Sequence, residues 1–305
     1  MNLTVDYNYA RGLDASLQHS WTVDDAFQGR TFDFSKPFLP DRIAGVQAIS
    51  CLTDDEKRTL NQIRGQSYFH LFAFVEEFIV PMVLASATRD VYGDETRLWS
   101  LLRFAEEEVK HQEMMRRAIE QFTRGFGSEA GLIDGREVVA AEVLKASRLG
   151  GLLLTSAIEW FVQLHYLEHV RDDQELDPLF RDLLRFHWID ESRHARLDSL
   201  LIAEVAAETP DAERESSIDE VLQLGLAIDG LLTQQIELDL DALERAIGRS
   251  LDPQQREEVR SAQQRAYRWT FLVSGLQHPK FVEIVEALTV GGRAKIDAAA
   301  QMLSA

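Results

Sequence analysis

The chain has 305 residues, 45% of them hydrophobic, a formal net charge of -19 and a single cysteine, Cys51. Such a chain can bury one sizeable core or two smaller ones, and its charge disfavours a nucleic-acid backbone or an anionic membrane surface as a partner. One cysteine excludes an internal disulfide framework and a multi-cysteine metal site, and it suits a reducing, cytoplasmic setting.

No basic start followed by an apolar run marks the N-terminus, so no signal peptide is expected. Residues 1–52 hold scattered aromatics with Pro37 and Pro40 and read as an irregular N-terminal arm. Thr53 and Glu56 have capping-box spacing and open a long first helix that Pro81 is expected to kink. Asp94 can cap a second helix ending near Gly125, and the connection to about residue 150 contains the short helical segment GREVVAAEVLKAS. A third helix covers LLLTSAIEWFVQLHYLEHV; its apolar window, residues 149–166, contains Glu159 and His165 and is too short and polar to span a membrane. A fourth begins at Asp177–Pro178, where proline suits the first turn, and runs to about Ala207. About three further helices follow Pro210. No alternating strand pattern occurs, so the expected fold is all-α, a single helical domain: arm 1–52, four-helix core 53–207 and C-terminal helical extension 208–305.

The core repeats itself. Glu76 on the first helix lies 32 residues before Glu108 of Glu108-x-x-His111, and Glu159 on the third lies 32 residues before Glu191 of Glu191-x-x-His194. Residues three or four apart share a helix face, so each Glu–His pair can address one point, and His187 lies on the same face one turn before Glu191. A lone Glu from each of two helices plus Glu-x-x-His from the other two is a way to build a two-metal site inside a bundle. Four carboxylates and three neutral imidazoles balance two divalent cations. Without a cation, burying that many ionised carboxylates is prohibitive. Ligation by carboxylate and imidazole, without thiolate, suits iron or manganese.

Three assignments stay open on the residues alone. Glu77 competes with Glu76, although the 32-residue repeat and neighbouring apolar residues favour Glu76. His187 can be a ligand, which its phase favours, a histidine that hydrogen-bonds to one, or a core residue. Asp190 can support a ligand from a neighbouring helix or face solvent. Glu106, Glu107 and Glu113 read as the wet side of the second helix, and His19, His70, His165, His169 and His278 as structural or exposed. Phe69, Phe72, Phe104, Trp160 and Trp188 are candidate walls of a substrate cavity.

This set resembles the ferritin-like di-iron carboxylate proteins over about residues 50–207, and the added His187 makes it most similar to the p-aminobenzoate N-oxygenase family. That resemblance implies a seven-ligand centre of Glu76, Glu108, His111, Glu159, His187, Glu191 and His194. It also implies two iron ions, with manganese an alternative in one position, and O2 as co-substrate activated through a peroxo intermediate. Oxidation of a small organic substrate, an arylamine nitrogen in the family's case, and an external electron donor follow from the same likeness. EEVKH and DESRH are also similar to the motifs of acyl-carrier-protein desaturases, whose six-ligand site would leave His187 dispensable. A ferroxidase or iron-storage protein is the other alternative; the arm and added helices argue against a storage shell. The C-terminal helices fit three roles: completing the bundle, covering a cavity, or forming a homodimer interface.

Overall fold

The computed structural model describes residues 5–304, and the side chains of all of these except residues 136–139. The first four residues of the arm, the last residue of the extension, and the side chains of 136–139 in the short connecting segment lie outside that description. Every regular element among the described residues is helical. In chain order the helices are α1 (Tyr9–Gln18), α2 (Val23–Phe27), α3 (Asp41–Ala44), α4 (Asp54–Ala87), α5 (Glu95–Phe126), α6 (Arg136–Val143), α7 (Arg148–Leu164) and α8 (Pro178–Glu208). They continue with α9 (Asp211–Ile247), α10 (Pro253–Arg268), α11 (Ser274–Leu276), α12 (Pro279–Leu288) and α13 (Gly292–Leu303). Two π-helical turns, His165–Val170 and Trp269–Val273, extend α7 and join α10 to α11.

Local chemistry sets the ends of the helices that carry the motifs. Thr53 Oγ1 accepts from the Glu56 amide while Glu56 Oε2 accepts from the Thr53 amide at 2.9 Å, a reciprocal cap at the start of α4. The Asp94 carboxylate accepts from the amides of Thr96 and Arg97, and Gly127 at φ 78 takes the left-handed conformation that closes α5. Ser147 caps α7. Asp177, with Pro178 in the first turn, caps α8 and also accepts from the Asp33 amide at 2.8 Å, tying the arm to the core. The helix α4 continues through Pro81 to Ala87. By length and composition the stretch Asp54–Asp90 is apolar enough to cross a membrane; here it is a core helix whose inner face carries Glu76.

Packing brings the two halves of the repeat together. Helices α4 and α5 pack as one pair and α7 and α8 as another, and α9 lies against both α4 and α7. The arm's α1 covers α5 and α8. Its aromatics Phe32, Phe34 and Phe38 form a ring cluster with Phe122 and Phe180. Beyond Pro210 the chain holds α9, the helical run from α10 through the π turn to α11, and then α12 and α13, which is more than the three helices the sequence suggests. At the contact of this extension with α7, a Cβ on Gly275 would stand 2.6 Å from the Ala157 carbonyl oxygen, so the two backbones meet only because the side chain is a hydrogen.

Candidate metal centre

Four helices project seven side chains to one point between the pairs: Glu76 from α4, Glu108 and His111 from α5, Glu159 from α7, and His187, Glu191 and His194 from α8. None is more than 2% exposed. The donor atoms fall into two groups, Glu76–His111–His187–Glu191 and Glu108–Glu159–Glu191–His194, each with one atom per residue inside a 4.8 Å span. Glu191 belongs to both. Its Oε1 lies 3.0 Å from His111 Nδ1 and 2.7 Å from His187 Nε2, and its Oε2 lies 2.9 Å from His194 Nδ1. His194 Nδ1 is 2.7 Å from Glu108 Oε1, and His187 Nε2 is 3.0 Å from Glu76 Oε1. Glu77, the competing residue on α4, is half-buried and outside both groups.

Many of these close approaches lack the angles of hydrogen bonds. Both oxygens of Glu108, one each of Glu76 and Glu159, and His111 Nδ1 have no hydrogen-bond partner although all are buried. Buried acceptors are normally satisfied, so a set of them converging on a small volume is a donor set for cations. In the metal-free chain protons do part of this work. Burial opposes charging His111 and His194, yet the carboxylates around them, Glu191 foremost, raise both well above the usual 6.5. His187 rises to about 8 against the same penalty. Desolvation lifts Glu76 to about 7 and Glu159 well above the ordinary carboxylate range. Burial would lift Glu191 as well, but His187 and His194 reverse this and hold it low.

Behind the donor atoms lies a crossed support. His111 of α5 hydrogen-bonds through Nε2 to Asp190 of α8 at 3.0 Å, and His194 of α8 through Nε2 to Glu107 of α5 at 2.9 Å. Each carboxylate is held by a cation: Lys110 lies 2.7 Å from Asp190, and Arg193 lies 2.8 Å from Glu107 and also contacts Asp190. Ser16 of α1 donates to Glu107 at 2.6 Å. Burial pushes both carboxylates up, but the histidine contacts outweigh it, leaving Glu107 at about 2 and Asp190 well below its usual value. These contacts place Nδ1 of His111 and His194 toward the cluster, the arrangement that makes an imidazole a good ligand.

Glu107 therefore corrects the sequence reading: it is buried, not on the wet side of α5, whereas Glu106 and Glu113 are exposed. The repeat held the signal, because acid–Glu-x-x-His occurs in both EEVKH and DESRH and makes Glu107 the equivalent of Asp190. Asp190, open between two roles on the sequence, is buried against His111. Asp198, which no motif in the sequence marks, is buried one turn beyond His194, near Thr155, and desolvation raises it to about 7. Phe72 and Phe104 rest against His187 and His194, with ring centroids 5.2 and 3.9 Å away. The rings of Phe69, Trp160 and Trp188 stack instead on Phe180, His278 and Tyr166. Among the other histidines, His19 is exposed and His70, His169 and His278 are half-buried, while His165 is buried.

Comparison with known proteins adds a family. Residues 11–268 match the family described as P-aminobenzoate N-oxygenase AurF. No curated protein matches the sequence. Solved structures with a similar course include an R2-like ligand-binding oxidase with aerobically reconstituted Mn/Fe cofactor, at 18% identity and TM-score 0.47, covering 86% of this chain and 92% of that one. A variant R2-like ligand-binding oxidase with aerobically reconstituted Fe/Fe cofactor gives 18% identity, TM-score 0.47, and coverage of 86% and 93%.

Proposed function

This chain belongs to the P-aminobenzoate N-oxygenase AurF family and is an oxygen-dependent oxidoreductase; from that premise we propose that it uses two metal ions, iron in both positions or manganese in one, to oxidise a small organic substrate. An arylamine nitrogen is the substrate class the family description supports. The observation that carries this reading is the buried set of four carboxylates and three imidazoles whose donor atoms are largely without hydrogen-bond partners.

The donor set fits such a pair: Glu76, His111 and His187 would serve one ion, Glu108, Glu159 and His194 the other, with Glu191 able to reach both. The metals, once reduced by an external donor, supply the chemistry of dioxygen reduction and substrate oxidation. The protein does the rest. Glu107 and Asp190 orient the imidazoles and keep their Nε2 protons, while Phe72 and Phe104 close the cluster against water. Asp198 is a buried carboxyl beside the centre that can carry a proton. Behind α7 lies an apolar cavity of about 380 Å³, lined by Leu154, Ile158, Phe161, Leu222, Phe271 and Leu276 among others. Its walls Phe161 and Phe271 pack on Phe72, whose ring rests against His187, so aromatic contacts link the cavity to the centre.

The test is anaerobic loading with ferrous iron, metal counting, then stopped-flow absorption on mixing with O2, for wild type and His187→Ala. Two irons per chain and an O2-dependent visible transient, lost or altered in the variant, are expected, followed by product formation from an arylamine panel. Unchanged oxygen chemistry in the variant would point to the six-ligand arrangement. A chain that binds no iron would overturn the reading.

A further inference from the structure

From the rings around His165, we propose that Tyr68 is a redox-active residue that supplies one electron to the oxidised metal pair and passes its proton to His165; this rests on the di-metal reading above. Tyr68 is buried on α4, two turns before Glu76, and its hydroxyl lies 3.2 Å from His165 Nδ1. The direction of that bond is set by what lies beyond it. Ser274 Oγ donates to the Thr270 carbonyl at 3.0 Å, so the same oxygen is left to accept from His165 Nε2, 3.1 Å away. With its proton on Nε2, His165 offers the Nδ1 lone pair, and the phenol donates to it. The imidazole is neutral, because burial and the neighbouring His169 and His278 push it down to about 3. Oxidising a phenol makes its proton strongly acidic, so an aligned neutral base lets electron and proton leave together.

A ring path reaches the centre and the surface. Tyr68 and Phe72 have centroids 4.7 Å apart, and Phe72 and His187 are 5.2 Å apart. Outward, His165 stacks on half-buried Trp269 at 5.3 Å. Both π turns among the described residues contribute here, one carrying His165 and the other Trp269, Thr270 and Phe271; such turns are frequent at functional sites. The Tyr68 O–H bond breaks, the electron reduces the metal pair by one, the proton forms an N–H bond at His165 Nδ1, and a neutral phenoxyl radical and an imidazolium remain. In the absence of substrate this would remove one of the oxidising equivalents from an over-oxidised centre.

The test is rapid-freeze electron paramagnetic resonance of iron-loaded chain mixed with O2 without substrate, alongside metal counting and O2 consumption. An organic radical that narrows when ring-deuterated tyrosine is incorporated, disappears in Tyr68→Phe, and decays faster in His165→Gln is expected. Deuterated wild type identifies a tyrosine even if a variant folds poorly. Iron bound and O2 consumed with no radical, or a radical that survives in Tyr68→Phe, would overturn this inference and leave the metal reading intact. No iron bound would remove the oxidant and sink both.

Discussion

Two of the regions that bury carboxylates solve the problem in opposite ways. Where α4, α9 and α10 meet, Asp239 accepts from Ser67 and Gln235 at 2.7 Å each and from Tyr267 at 2.5 Å. Burial raises it, and the charge of Arg64, stacked 3.3 Å from the Tyr267 centroid, opposes that. Between the helix pairs, Glu108 is equally buried and neither of its oxygens has a hydrogen bond. A carboxylate surrounded by donors is part of the scaffold. One surrounded by other carboxylates and by imidazoles is part of a site, because only a cation or a shared proton satisfies it.

The largest expected break of this contrast is in metal content. Replacing Glu108 or Glu159 by Ala should abolish stoichiometric binding of two irons, whereas Asp239→Ala should leave the count at two; retention of both irons by both glutamate variants would sink the assignment. Next is the stability of the metal-free chain. Asp239→Leu removes a carboxylate held by three donors, leaves Arg64 in the core and should destabilise by about 3–5 kcal/mol, while Glu108→Leu removes a carboxylate that makes no hydrogen bond and should cost less. Denaturant melts in the presence of a chelator measure the difference. Smaller effects should follow from the support behind the histidines. Glu107→Gln and Asp190→Asn should each weaken metal binding by about 10–100-fold, as read by competition with a chromophoric chelator.

The smallest signal is the proton count. His111 and His194 are raised well above 6.5 and Glu76 to about 7, so below these values the metal-free site holds protons that ligation must expel. Metal uptake in weak buffer should acidify the solution, and affinity should fall as the pH is lowered through that range. The number of protons released should shrink as the pH rises. An indicator dye reads this directly, and uptake without acidification near neutral pH would contradict the protonated cluster.

Much of this was legible in the sequence. The 32-residue repeat named the residues that the fold brings together, because helical phase and equal spacing are local properties of a chain that forms long helices. Caps at Thr53, Asp94 and Asp177 were visible for the same reason. Glu107 escaped because its burial depends on Ser16 and Arg193, 91 and 86 residues away. Tyr68, His165 and Ser274 meet across 97 and 109 residues through two π turns that no simple periodicity announces. The C-terminal helices carry no motif, and their seat against α4 and α7 follows from shape at points such as Gly275.

The crossed carboxylates have one more consequence. Since α5 clasps the histidine of α8, and α8 that of α5, neither helix can slide along the other by a residue without severing both clasps. The two helices are thus locked in register before any ion arrives, and the incoming ion meets a socket already cut to shape rather than one it must draw together.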